Sequence, residues 1–305
     1  MSNSPLVSVC VITYNSADYV IEALESIKSQ TYSNIELIIS DDSSKDETVL
    51  LCKKWIDQNS SRFTRTEIIS SKQNTGTSAN YNRAVNAANG EWIKFVDGDD
   101  MIASSCVADN IDYINSNENA KLIFSNLIEF THSGNINKQN CFFIEQNKKF
   151  FQLTTEEQLV ELLRNNQLPS ASAFINTELL KNNPYNETYG LLEDLPKWID
   201  LVSKGNHVFY FDKVTAYYRI GESVFQSQRR FVSPRYFEDE SLYFWSERLR
   251  LIRSYHAQKA YSFQRKQLLL KEIAISILRN KKNPLTNLLY QFFNVFIKFF
   301  ADYKL

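Results

Sequence analysis

The chain has 305 residues, 43% of them apolar and 23% charged, with a net charge of −1 at neutral pH. That length allows one large or two modest domains with a sizeable core, and the near-neutral balance excludes nucleic acid as a partner held by whole-chain electrostatics. No uncharged apolar run reaches the roughly 20 residues of a spanning helix, and the opening MSNSPLVSV lacks the basic-then-apolar order of a signal peptide.

Val7–Ile12 is a short β-branched run and reads as a first strand, with Asn15 and Ser16 placed to cap a helix carrying Tyr19, Val20, Ala23, Leu24 and Ile27 at helical spacing. Ile35–Ser40 is a second buried strand, and a helix is expected from about Lys45 to Gln58. Thr66–Ser70, a helix over Thr77–Asn89 closed by Gly90, and the strand Trp92–Val96 follow. Strand and helix alternate, so the first hundred residues predict a mostly parallel sheet with helices on both faces, a Rossmann-like α/β fold. Beyond residue 100 the pattern loosens. Ala120–Phe130 is strand-like, Thr155–Asn166 is a capped helix, Leu168–Ile175 and His207–Phe211 are short strand candidates, and from about Ser241 the chain is helical and basic.

Ligands of such sheets bind beyond the carboxyl ends of the strands. Polar clusters stand there in this sequence: Thr13-Tyr14-Asn15, Asp41-Asp42, and Asp97, Asp99 and Asp100 around Gly98. Three carboxylates in four positions repel one another unless a hard cation neutralises them, and oxygen donors of this kind suit Mn²⁺ or Mg²⁺. A solvated acidic turn is the alternative, disfavoured by the buried strand that feeds the motif.

The segments VSVCVITYN, IELIISDDSSKDET, QNTGTSANYNRAVNAANGEWI and FVDGDD, in that order over about residues 5–102, resemble the family 2 glycosyltransferases of the GT-A fold, of the bacterial surface-polysaccharide type. LLEDLPKWIDLVSKG (191–205) and AYYRIGES (216–223) extend the likeness to about residue 225. The resemblance implies a GT-A domain over 1–225, with nucleotide-sugar binding in 1–102 and acceptor binding and the catalytic base in 103–225, followed by a basic, amphipathic helical region over 226–305. It implies an inverting transfer from a nucleoside-diphosphate sugar, UDP before dTDP or GDP, to a hydroxyl of a glycan or lipid-linked glycan in O-antigen, capsule or similar synthesis. Position by position, it implies that Tyr14 stacks on the base and Asp41 meets the base edge. Asp99 binds the metal with Asp97 beside it, and Asp100 braces the loop or the donor sugar. Thr13, Asn15, Asp42, Asn74, Gly76, Asn82 and Arg219 complete the donor site. Asp194 is the general base, and Glu193 stands at the acceptor or in the loop; capping of the following helix is the other reading of Asp194.

The sequence departs from that family in two places. Tyr81 stands where an Arg often precedes the Asn of the third motif, which leaves Arg83 or Lys72 to meet phosphate. Arg219-Ile220-Gly221-Glu222-Ser223 lacks a His expected near the metal, which leaves Glu222 as a stand-in. A sugar-1-phosphate nucleotidyltransferase would want a Gly-rich basic loop that VITYNSADY does not have. A non-catalytic nucleotide-sugar binding module would not need both Asp99 and Asp194.

Cys10, Cys52, Cys106 and Cys141 lack metal-ligand spacing and read as free thiols of a reducing compartment. Residues 245–305 hold 12 Lys/Arg against 3 acids, a surplus of nine that leaves the rest of the chain at −10. Within them Asn287, Gln291, Asn294, Lys298 and Asp302 form one narrow polar stripe on an otherwise apolar helix, next to Arg279, Lys281 and Lys282. That composition predicts an interfacial helix on an anionic membrane, hence a cytoplasmic protein peripheral on the inner face of the cell membrane; a face packed on the catalytic domain or in a homodimer is the alternative.

Overall fold

The computed structural model describes residues 4–131, 136–141, 148–220 and 230–300. Strands β1 (Val7–Thr13), β2 (Ile35–Asp41), β3 (Arg65–Ser70) and β4 (Trp92–Asp97) lie parallel in the order β3-β2-β1-β4, joined by helices α1 (Val20–Lys28), α2 (Thr48–Asn59) and α3 (Thr77–Ala87). The register pairs Thr13 with Asp41 and Ile12 with Asp97, so the carboxyl ends of three strands reach one edge of the sheet together.

Alternation along each strand builds two cores. Val7, Val9 and Val11 join α1, α2 and α4 (Cys106–Asn115) on one face, while Cys10 and Ile12 join Tyr81 and Ala84 of α3 on the other. Both faces are covered by helices, as the unbroken apolar runs require.

The second half extends the same sheet. It contributes β5 (Met101–Ile102), β6 (Leu122–Thr131), β7 (Ile136–Cys141), β8 (Phe174–Asn176) and β9 (Val208–Ile220), with helices α5 (Thr155–Arg164), α6 (Thr177–Lys181) and α7 (Asp194–Ser203). The full order is β3-β2-β1-β4-β8-β6-β9-β5, with β7 on β6. The C-terminal helices are α8 (Pro234–Tyr243), α9 (Leu249–Ser254), α10 (Gln258–Ser276) and α11 (Pro284–Phe300), and the first three pack on the same core: Tyr243, Phe244, Ile252, Ala260 and Leu268 belong to the cluster that holds Trp198 and Phe124. Buried Arg248 ties them down, donating to the carbonyls of Leu162 and Leu163 at the end of α5 (both 3.0 Å) and to Gln264 Oε1 (3.0 Å). Part of the basic surplus is therefore structural.

Several local expectations differ. Gly90 does not adopt a left-handed conformation; a side chain there would strike Ser8 N at 2.5 Å, so close strand packing selects the glycine. Neither Asn15 nor Ser16 caps α1 through its side chain, because Asn15 Oδ1 accepts from Lys45 N instead (2.8 Å). Helix α2 starts at Thr48, where Asp46 accepts from the Thr48 and Ala17 amides and locks the preceding loop. The Leu168–Ile175 run contains a 3₁₀ turn at Ser170–Ser172 after Pro169, which has no N–H for a ladder, and strand forms only at Phe174–Asn176. His207–Phe211 proves to be the start of a strand that runs to Ile220. Among the described residues no helix is long and apolar enough to cross a membrane.

Candidate active site

The Asp97–Asp100 turn leaves β4 and folds back under β1. Gly98 N donates to Ile12 O (2.9 Å), and a Cβ at Gly98 would meet Ser16 Oγ at 2.7 Å and Thr13 Cγ2 at 3.1 Å, so only glycine fits this approach. The turn therefore presses the three aspartates against the Thr13–Ser16 loop. Tyr14 stands 47% exposed beside it, free to present a ring to a planar ligand.

Asp100 is buried, Asp97 and Asp99 are half-buried, and desolvation and mutual proximity raise their pKa values. Asp97 is pushed up to about 6, first by desolvation and then by Asp99, against a 3.0 Å hydrogen bond from the Tyr81 hydroxyl. Asp99 is raised by burial. Asp100 is raised furthest in this turn, by burial and by Asp97; its Oδ1 accepts from Arg219 N (2.8 Å) while its buried Oδ2 has no hydrogen-bond partner. Lys94 lies beneath them, fully buried, with its ammonium on the Ala171 and Ala173 carbonyls. It supplies some compensating charge to Asp97 and Asp100, and its own pKa is lowered by burial.

This donor set fits a hard divalent cation. Asp97 and Asp99 are oxygen donors whose ionised forms are disfavoured until a positive charge arrives, and the orphaned Asp100 Oδ2 marks the same deficit. Among the described residues no group of three or more His, Cys, Asp or Glu is arranged to hold a metal, so ligand oxygens and water would complete the shell. Glu222 lies outside the described residues, as does His132. Of the other histidines, His207 bonds Thr155 Oγ1 (3.2 Å) and packs on Phe209.

The second carboxylate pair arrives from the start of α7. Asp194 Oδ2 accepts from Asn166 Nδ2 and Oδ1 from Leu195 N, both at 2.6 Å. Burial raises both carboxyls, and Glu193 is raised well above its usual range by burial, Asp194 and Asp97. The loop before the pair is fixed to α3, where Thr77 N donates to Gly190 O (2.9 Å) and Ser78 Oγ to Tyr189 O (3.1 Å). Gly76 makes that seam possible: it sits at φ +93°, and a Cβ would come within 3.1 Å of Gly190 O.

A cavity of about 510 Å³ joins the two halves, with Asp97, Glu193 and Asp194 on its wall. Asn166, Tyr218, Phe231, Tyr236 and Lys271 line it too. Sequence reasoning passed over all five, together with Lys94 and the Tyr81–Asp97 bond. Lys94 had a legible signal, a lysine in mid-strand among apolar residues; the others are distant in sequence and carry none.

Four expected donor contacts have other work. Arg219 is enclosed: its Nε donates to Asp99 O (2.7 Å), it pairs with Glu22 (2.6 Å), and its guanidinium carbon lies 4.6 Å from the Tyr19 ring and 4.3 Å from that of Phe130. These contacts brace the aspartate turn. Asn82 clasps Tyr185 N and O (2.7 and 2.9 Å) and Glu187, fixing the loop that leads to the acidic pair. Asp42 is filled by Thr75, the Gly76 amide and Arg83, so Arg83 is also committed. Thr13 is buried and donates to Asp41 Oδ2 (3.0 Å). Asp41 accepts from Thr13, Ser44 N and Ser44 Oγ, which leaves a carboxylate about one further lone-pair site. Asn15 lies at the exposed rim at φ 52°, and Asn74 is exposed beside Gly76.

A mixed α/β sheet, parallel over β3-β2-β1-β4, thus brings Asp97 of the aspartate turn and the Glu193-Asp194 pair to one cavity, an arrangement suited to a group-transfer enzyme. The chain belongs to glycosyl transferase family 2, whose family model matches residues 8–176, more than half of its length. Among its relatives, an uncharacterized glycosyltransferase of Haemophilus influenzae is 25% identical over 86% of this chain and 96% of its own. WfaP of Escherichia coli, a UDP-Glc:alpha-D-GlcNAc-diphosphoundecaprenol beta-1,3-glucosyltransferase, is 28% identical over 70% of this chain and 77% of its own. The crystal structure of S. aureus TarS 1-349 in complex with UDP-GlcNAc superimposes with a TM-score of 0.60 at 21% identity, covering 89% of this chain and 73% of that one. The fold is thus GT-A, carrying a C-terminal helical extension.

Proposed function

We propose that the protein is an inverting glycosyltransferase that moves a sugar from a nucleoside-diphosphate donor, a UDP-sugar, to a hydroxyl of a glycan or lipid-linked acceptor in cell-surface polysaccharide synthesis. One observation carries the reading: Asp97, from the strand-end aspartate turn, and the Glu193-Asp194 pair line the same cavity. A donor held at the turn and an acceptor in the cavity would meet between them. The relatives that act in surface-glycan synthesis and the fold neighbour solved with UDP-GlcNAc support the choice of substrates.

Asp194 takes the acceptor proton. Asn166 and Leu195 donate to its two oxygens and favour its ionised form against the burial that raises both carboxyls, Glu193 being raised well above its usual range. The acceptor oxygen bonds to the anomeric carbon as the carbon–oxygen bond to the diphosphate breaks, and the diphosphate leaves with that electron pair. Asp99, with Asp97 beside it, would hold the Mn²⁺ or Mg²⁺, which when bound offsets charge on the leaving diphosphate. Tyr14 would stack on the base and Asp41 would meet its edge, with Asn15, Asn74 and Gly76 around the phosphates. The exposed apolar face of α11, beside exposed Arg279 and Lys281, attaches the protein peripherally to an anionic membrane.

The test is a screen of UDP-, dTDP- and GDP-sugars for metal-dependent hydrolysis and transfer, with the product's anomeric configuration read by NMR. Inversion from a UDP-sugar is the expected result. Retention of configuration, or absence of turnover with every donor, overturns the reading.

A further inference from the structure

Part of the cavity wall is supplied by residues that follow β9. Phe231, Val232, Ser233 and Tyr236 line it together with Glu193 and Asp194, while none of the strand-end residues between Thr13 and Gly76 does. These residues therefore share the cavity with the acidic pair and not with the loops proposed to hold the nucleotide base, which assigns them to the acceptor side.

Phe231 is held there by two independent devices. Asn280, in the turn between α10 and α11, clamps the backbone: its Oδ1 accepts from Phe231 N and Val232 N (both 3.0 Å), and its Nδ2 donates to Val232 O (2.7 Å). Asn280 adopts φ 54°, a left-handed conformation that asparagine tolerates well among the residues with a Cβ. Tyr290 of α11 stacks on the Phe231 ring, with centroids 4.8 Å apart and planes at 19°. The Lys282 ammonium lies 6.0 Å from the same ring. Tyr290 is not among the residues that line the cavity.

Resting on the transferase reading above, we infer that Phe231 is a specificity-determining residue for the acceptor, an aromatic surface for the apolar face of the acceptor's sugar ring. Asn280 and Tyr290 act as its positioning residues. The cavity sets Leu127, Leu168, Val232 and the rings of Tyr218, Phe231 and Tyr236 among polar groups, Asn166, Ser233, Lys271 and the carboxylates among them, a mixture that matches the amphipathic surface of a sugar. The terminal helix then serves the site directly. Whatever surface α11 docks on, it carries the acceptor wall with it.

Full-length protein is assayed with UDP-glucose and UDP-N-acetylglucosamine, Mn²⁺, and a panel of alkyl and aryl glycosides as acceptors. Phe231→Ala is expected to raise the acceptor KM about ten-fold, the scale of one lost aromatic contact, with donor KM unchanged. Phe231→Tyr should restore the acceptor KM. Tyr290→Ala, which removes support from behind the ring, should raise it about three-fold even if Phe231→Ala proves unstable. An unchanged acceptor KM in both alanine variants, or a donor KM that rises in step, overturns the assignment. A wild type that turns over no nucleotide-sugar overturns the transferase reading itself, and this inference with it.

Discussion

Asp194 and Glu193 are adjacent in sequence yet differ in their hydrogen bonds, Asp194 accepting from Asn166 and Leu195, and the proposed roles follow that difference. Replacing Asp194 with Asn keeps size but removes the proton acceptor, so kcat is expected to fall roughly 10²–10⁴-fold with donor affinity nearly unchanged. A collapse of donor affinity with bound turnover intact would make Asp194 a donor contact. Burial raises the Asp194 pKa, so the active, ionised form grows with pH, and the acidic limb of kcat/KM should lie above the usual Asp range near 4. Glu193 carries a stability consequence with a definite sign. A carboxyl raised in the folded state contributes stability that is present below its unfolded pKa and lost as pH rises through its folded pKa. Glu193→Gln removes that loss, so its stability gain over wild type should be near zero at pH 4 and larger at pH 8 in urea unfolding. An equal gain at both pH values would show that Glu193 is not raised. Asp99→Ala is expected to abolish transfer without changing the circular dichroism spectrum, because the diphosphate would leave uncompensated. Full activity in that variant, or in wild type under excess chelator, would remove the metal from the mechanism.

At the scale of elements, the site depends on short segments that pin loops. Helix α5 opens with a reciprocal capping box: the Glu157 amide donates to Thr154 Oγ1 (3.3 Å), and the Thr154 amide donates to Glu157 Oε2 (2.8 Å). Thr154→Ala should cost about 1 kcal/mol in chemical unfolding. Its effect on kcat should be small, because Asn166, which holds Asp194, is anchored separately through Leu168 N. A large kcat loss at unchanged stability would show that the helix start reaches the site. Helix α3 plays the complementary part, since its first turn bonds the 189–190 loop and so sets where the acidic pair sits relative to the aspartate turn.

For the whole molecule, the terminal helix leaves a broad apolar face exposed. Ile297 is buried and Tyr290 faces Phe231, while Leu285, Leu288, Leu289, Phe292, Val295 and Phe296 form the outer face, with Leu288 65% and Phe292 61% exposed. Such a stripe beside exposed basic residues suits insertion into an anionic lipid surface. Leu288, Phe292 and Phe296 changed together to Ser should release the protein from anionic vesicles in a flotation assay, and high salt alone should weaken binding only in part. Transfer to a short water-soluble acceptor should persist. A wild type that ignores vesicles and elutes as a discrete dimer would instead make this face a subunit contact.

The sequence by itself determined the parallel half of the sheet, because buried parallel strands write unbroken apolar runs, and it located the aspartate turn, because charge at the end of such a run has few structural uses; the Glu193-Asp194 pair was legible only through the resemblance to the family. It also showed the apolar breadth of the terminal helix. Only the tertiary structure decided which partners within the protein the polar residues meet. Asp42, Asn82 and Arg219 satisfy buried backbone and loop partners dozens to more than a hundred residues away, and no local pattern records such a partner. The same reason hid the acceptor wall. Phe231 and Tyr290 stand 59 positions apart, and they meet only because Arg248 and Asn280 fold the C-terminal helices back onto the catalytic core.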